Sequence, residues 1–222
     1  MKTIDLHIHT TASDGTFSPT ELVDYGLKKN LSALAITDHD TMRGIAEALE
    51  YRDRIGADLE IIPGMEISAN APGFYFGLHI LAYFPDKSPE ELENIINNLE
   101  RELRQGDGSP RTAIKTVMEY GGLTSLGHPQ EYSLSMGEMD KLLGDLAALG
   151  LNGVEGIYTT HSSAYISEMK KLARKHGLLV TGGTDFHGAR KPGVDLGCGF
   201  GDMTIPYDIV ESLKALSATV RS

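Results

Sequence analysis

Cysteine is nearly missing from this 222-residue chain, where Cys198 stands alone. An internal disulfide is therefore impossible and no thiolate cluster exists to hold a structural zinc ion, so a reducing compartment, by default the cytoplasm, is expected. Positive charge is scarce as well. Twenty Lys and Arg face 31 Asp and Glu, a formal net charge of −11, and a duplex nucleic acid would meet repulsion rather than a basic track. No apolar run is long enough to span a bilayer, and the N-terminus enters a strand-like segment without the basic and apolar regions of a secretion signal. Composition breaks, low-complexity linkers and internal repeats are also lacking, so one domain over residues 1–222 is expected, large enough to bury a substantial core. The nucleophile elbow Gly-x-Ser-x-Gly is missing too, which removes the serine-hydrolase reading.

What the chain does have is alternation. Apolar, β-branched runs flanked by glycine mark strands at about 3–8, 32–37, 59–68, 75–84, 122–127, 153–158 and 178–184. Helical patterns separate most of them. Ser18, Ser88 and Ser135 each precede a glutamate by three positions, the pattern of a capping box, and Pro19, Pro89 and Pro110 occupy first helical positions after serine caps. Gly121, Gly150 and Gly177 close helices. Strand and helix in repeated succession imply a mostly parallel sheet, either doubly wound or closed into a barrel.

Polar residues at the strand ends decide between the two. His7 and His9 lie at i and i+2, as do Asp185 and His187, so on extended backbone each pair shares one side while apolar neighbours take the other. Asp5 shares the face of His7 and His9, where it would orient an imidazole from deeper in the strand. Asp14 follows in a turn, and His39, Glu66, His79 and His128 each sit in or just after an apolar run. An isolated His-x-His is more often a surface pair, and an isolated His79 a satisfied core residue. Recurrence overturns those readings, since six of eight histidines occupy such places and an unpaired buried glutamate is rare. Imidazole and carboxylate suit Zn, Mn or Fe, which points to a catalytic metal site. Ligands drawn from the C-terminal ends of at least six strands meet at one point in a barrel but not along an open sheet.

Four segments carry a resemblance. Asp5-Leu6-His7-Ile8-His9-Thr10 with Ser13-Asp14-Gly15, Thr37-Asp38-His39-Asp40-Thr41, Gly127-His128-Pro129 and Gly183-Thr184-Asp185-Phe186-His187-Gly188 resemble, in order, the four motifs of the polymerase and histidinol phosphatase (PHP) family. The resemblance spans nearly the whole chain and implies a distorted, TIM-like (β/α)7 barrel with two or three divalent metal ions at its mouth. It further implies that His7, His9, Glu66 and Asp185 bind one ion, that Glu66, His79 and His128 bind a second with Glu66 bridging, and that Asp14, His39 and His187 bind a third. All nine positions carry ligand-competent residues.

The implied activity is hydrolysis of a small phosphoester, a nucleotide or sugar phosphate, by a metal-bridged hydroxide attacking phosphorus. The likeness is closest to the stand-alone phosphoesterases, which include nucleoside 3′,5′-bisphosphate phosphatases and 5′-exoribonucleases. Those often carry a larger insertion between the strands of Glu66 and His128, where this chain has only two helices around Gly106. Cyclic sugar-phosphate phosphodiesterases and histidinol-phosphate phosphatases are alternatives within the family. A non-catalytic, polymerase-associated module is the alternative outside enzymology.

Candidate substrate groups lie around the expected mouth. Arg111 follows the Ser109 cap and could grip phosphate bidentately, while Arg190 and Lys191 follow the last ligand pair. His161, after the sixth strand, is the candidate to bind phosphate or protonate the leaving oxygen. Asp38 and Asp185, inside two of the motifs, are the other candidate catalytic groups. His176 ends a helix and is expected to interact with its dipole. Gly197, Gly199 and Gly201 lack the spacing of a dinucleotide loop.

Overall fold

Seven strands line up in sequence order in one sheet, β1 (Thr3–Asp5), β2 (Leu31–Ile36), β3 (Glu60–Ala69), β4 (Leu78–Tyr83), β5 (Leu123–Leu126), β6 (Gly153–Tyr158) and β7 (Leu179–Gly183). The computed structural model describes residues 2–75 and 77–220. The sheet curls until its ends meet. Leu6 donates to the Gly182 carbonyl (3.2 Å) and His9 to the Phe186 carbonyl (2.9 Å), so the segment after β1 lies against β7 and nearly closes a barrel. Gly183 permits that contact, because a Cβ there would fall 2.2 Å from the Cβ of His7.

Helices α1 (Pro19–Lys28), α2 (Gly44–Ile55), α3 (Pro89–Gln105), α4 (Pro110–Glu119), α5 (Met136–Ala147), α6 (Ser163–His176) and α7 (Asp208–Val220) connect the strands or follow the last of them. Ser18, Ser88 and Ser135 form complete capping boxes with Glu21, Glu91 and Glu138, and Ser109 caps α4 by accepting from the Thr112 amide. These starts are local in origin, each serine oxygen satisfying an amide that the helix leaves open. The main core lies where helices meet strands, joining Leu22, Ile36, Ile80, Leu143 and Met169. A second apolar cluster joins Ile4, Ala35, Leu81 and Tyr83 of the strands to Ile209, Val210 and Leu213 of α7. No helix among the described residues is long and apolar enough to cross a membrane.

One strand departs from the expected direction. The β1–β2, β2–β3, β5–β6 and β6–β7 pairs are parallel, whereas β4 runs antiparallel to both β3 and β5. Only the positions from 70 to 77 separate β3 from β4. A parallel return would need a crossover of roughly a dozen residues or more, so a hairpin is the available connection. His79 therefore enters at the beginning of its strand rather than the end, and the reversal brings that beginning to the same side as the C-terminal ends of the parallel strands.

Candidate metal centre

Glu66 is the hub of the site. It lies in β3, 1% exposed, where residues 60–63 pair with β2 and 64–69 pair with β4. Five imidazoles surround its carboxylate. Oε2 lies 3.3 Å from His7 Nε2, 3.1 Å from His9 Nε2 and 3.2 Å from His39 Nδ1. Oε1 lies 2.7 Å from His79 Nδ1 and 3.0 Å from His128 Nε2, and those two nitrogens are 3.1 Å apart.

Each imidazole arrives by a different local device. His7 and His9 extend beyond β1 with Ile8 turned into the core between them. His39 follows β2, where Glu66 donates to the Asp38 carbonyl and Asp40 donates to the Glu66 carbonyl. His128 follows β5 in a left-handed backbone conformation (φ 28°), as does Asp185 after β7 (φ 56°). Such angles carry strain for residues other than glycine, and they cluster where a side chain must be aimed.

Asp185 closes the other side. Its Oδ1 is 3.3 Å from His9 Nε2, 3.6 Å from His7 Nε2 and 3.2 Å from His187 Nδ1, while Oδ2 accepts from the Tyr158 hydroxyl at 3.0 Å and from Lys191. Asp14 meets His187 Nε2 at 3.2 Å and His9 Nδ1 at 3.5 Å. Three groups result whose ligand atoms all lie within 4.8 Å of one another: His7, His9, Glu66 and Asp185; His9, Asp14, His39 and His187; and His39, Glu66 and His79. The nine residues marked out as ligands by their strand-end positions and by the resemblance are thus gathered at one mouth.

Electrostatics follow from that crowding. Burial pushes the Glu66 carboxyl up, but His7, His128 and His79 outweigh it and hold the group well below its ordinary 4.5. Burial likewise lowers His9, yet the carboxylates of Asp185 and Glu66 beside its Nε2 prevail and raise it from 6.5 to about 9. In metal-free protein, such a raised group contributes stability that is fully present below pH 6.5 and is lost as pH climbs through about 9. The lowered Glu66 acts oppositely, its contribution fading as pH falls below 4.5. Thermal unfolding in chelator is expected to give a melting temperature that declines steadily from pH 6.5 to 9. A flat profile across that window would contradict the arrangement.

Several sequence expectations change. Asp38 does not face the cluster: Oδ1 accepts from the Thr10 amide (2.7 Å) and the Ser13 hydroxyl (2.6 Å), and Oδ2 from the Thr10 hydroxyl (2.6 Å). In this arrangement it braces the turn that carries Asp14. Asp5 holds no imidazole, because its oxygens accept from Thr184, Gly197 and the His7 amide. The imidazole acceptor is Glu155 of β6, with Oε1 3.0 Å from His7 Nδ1. Glu155 sits in an apolar strand, the signal that singled out Glu66, and was readable on the same ground.

The expected substrate groups disperse. Arg111 is exposed, and the cleft beside its helix is lined by Asp40, Ser68, Glu100, Arg104 and Ser109 without it. Arg190 is exposed on a short helical turn, whereas Lys191 reaches Asp185. His161 lies beyond the Tyr158 ring and donates from Nδ1 to the Gly156 carbonyl at 3.1 Å. Burial is the main cause lowering its pKa below 6.5, and with Nδ1 bonded to the carbonyl, Nε2 is the ring atom left to face a ligand. His176 ends α6 and also pairs with Asp140 of α5 at 2.7 Å.

Comparison with known proteins agrees with this geometry. The model of the PHP domain family matches residues 5–180. A 5′-3′ exoribonuclease from Haemophilus influenzae is 26% identical over 96% of this chain and 97% of its own length. A phosphoribosyl 1,2-cyclic phosphate 1,2-diphosphodiesterase from Eggerthella lenta is 26% identical over 83% of this chain and 94% of its own. Among solved structures, a chain from Bifidobacterium adolescentis assigned as a metal-dependent phosphoesterase superposes with a TM-score of 0.75 at 26% identity, covering 96% of both.

Proposed function

Since the chain belongs to the PHP domain family of metal-dependent phosphoesterases, we propose that it hydrolyses a small phosphoester, a nucleotide or sugar phosphate, with two or three divalent ions at the barrel mouth. The observation that carries this reading is the single buried carboxylate of Glu66 among five imidazoles. In that cluster His7 Nε2, both nitrogens of His9 and His39 Nδ1 are buried without a hydrogen-bond partner among the described residues. Buried imidazole nitrogens are ordinarily satisfied, and this many left open together fit a cation that takes their lone pairs.

His7, His9, Glu66 and Asp185 would hold one ion. Glu66, His79 and His128 would hold a second, and Asp14, His39 and His187 a third. When bound, divalent ions lower the pKa of coordinated water and neutralise charge developing on phosphoryl oxygens. The chain's own residues supply the rest. Tyr158 and Lys191 orient Asp185 from its outer oxygen. A cavity of about 440 Å³ lined by Phe74, Tyr75, His79, His128, Glu131 and Tyr132 adjoins the cluster and offers aromatic walls to a leaving group. A second cavity, lined by Tyr158, Thr160, His161, Ser163 and Phe200, lies across Tyr158, where His161 would accept from a substrate hydroxyl.

The balance of charge, −11 overall, supports small or single-stranded substrates over duplexes. By their names, one of the two relatives above acts on RNA and the other on a phosphoribosyl cyclic phosphate. The test is a panel of aryl phosphates, nucleoside bisphosphates, sugar phosphates, cyclic phosphates, short RNA and duplex DNA, each with Mn²⁺ and after chelation. Chelation is expected to abolish turnover, and duplex DNA to be the poorest substrate. Full activity in chelator, or none on any phosphoester after reconstitution with metal, would overturn the proposal.

A further inference from the structure

Glu155 is fully buried in the middle of β6, paired in register with Thr181 of β7. Its two oxygens do different things. Oε1 faces His7 Nδ1 at 3.0 Å, and Oε2 accepts from the backbone amide of His128 at 2.7 Å. His7 and His128 belong to different metal groups in the reading above. We propose that Glu155 is a positioning residue that ties two metal sites together, fixing the ring of His7 for one ion and the main chain of His128 for another. The inference rests on that assignment of metal ligands.

The argument is geometric. With Oε2 accepting from the His128 amide and Oε1 set against His7 Nδ1, the carboxylate offers an acceptor to Nδ1 and turns Nε2 towards the cluster. Nε2 lies 3.3 Å from Glu66 Oε2 and 3.6 Å from Asp185 Oδ1 without a hydrogen-bond partner among the described residues, and it is the atom that would ligate an ion. His128 sits at φ 28° and ψ 58°, an angle pair that persists only when its surroundings hold it. The Glu155 bond to its amide is one such hold, and the ring beyond it reaches Glu66 Oε1 at 3.0 Å. Because both contacts come from one carboxylate on a strand locked between two neighbours, a change at Glu155 is transmitted to both sites.

Glu155→Gln tests this with almost no change of shape. A primary amide has one accepting oxygen, and its NH2 must then confront either the His7 Nδ1 proton or the His128 amide. In full-length protein titrated with Mn²⁺, by calorimetry and by competition with a chelator, affinity is expected to fall about 10- to 100-fold at one site or both. Saturating Mn²⁺ should restore most of kcat, which a merely structural lesion would not allow. Equal Mn²⁺ affinities in wild type and Glu155→Gln overturn this inference alone, whereas a wild-type chain that binds no Mn²⁺ overturns the metal assignment with it. Should the variant fail to fold, ¹⁵N spectra of histidine-labelled wild type with Zn²⁺ decide the matter. Coordination of His7 through Nε2 with Nδ1 protonated supports the proposal, and coordination through Nδ1 defeats it.

Discussion

Replacing Glu66 by Gln is expected to lower kcat/KM by at least about 10³-fold, equivalent to roughly 4 kcal/mol of transition-state stabilisation. The reason is the number of groups that depend on one carboxylate. Both oxygens face imidazole nitrogens on more than one side, at 2.7 to 3.3 Å. A glutamine would keep one oxygen and turn an NH2 towards nitrogens that need to offer lone pairs, and it would remove the negative charge that, among the described residues, is common to all five rings. Metal content should fall with activity. The check is elemental analysis after reconstitution alongside steady-state kinetics on an aryl phosphate. Retention of both metal and most of the activity in Glu66→Gln would show that the hub role is wrong.

The second large effect is expected at Asp38, and it is one of stability. Asp38→Ala leaves the Thr10 amide, the Thr10 hydroxyl and the Ser13 hydroxyl without their acceptor, in a place where Asp38 itself is 1% exposed. Hydrogen bonds to a charged acceptor are worth about 1.5–3 kcal/mol each, and partial relaxation of the turn offsets some of the loss, so about 3 kcal/mol is expected in denaturant unfolding. The turn it braces carries Asp14. On the proposed assignment, an ion at Asp14, His39 and His187 should therefore be lost before one at Glu66, His79 and His128. A variant of unchanged stability with abolished turnover would instead restore Asp38 to the chemistry.

How far the sequence could be read depended on whether a signal was local. The serine caps were legible because a capping box closes within four residues, and β1, β6 and β7 were legible because apolar runs between glycines have few other uses. The barrel was legible from polar residues at the ends of many strands. Direction was harder. The eight positions between β3 and β4 already forbade a parallel return, but the strand–helix alternation on either side masked that short span. Asp38 and Glu155 show why roles within the site lagged behind its location. Both are carboxylates near ligands, and only packing reveals that one is saturated by a turn 25 to 28 residues away and the other reaches across β7 to His7. His161 shows the converse, a strand-end histidine separated from the cluster by the tyrosine at the end of its own strand.

The reversed strand has a consequence for how such a barrel can change. Ala69 and Leu78 are ladder partners, so the chain between them leaves and re-enters the sheet at one rung. Its length can grow or shrink without shifting Glu66 or His79, whose pairing with Leu81 and Ser68 is fixed below it. Phe74 and Tyr75, which wall the cavity beside His79, lie in this segment. The fold thus separates an exchangeable rim from an inherited metal floor, and grafting new hairpin tips onto residues 70–77 is a route to new substrates that leaves the hydrolytic centre untouched.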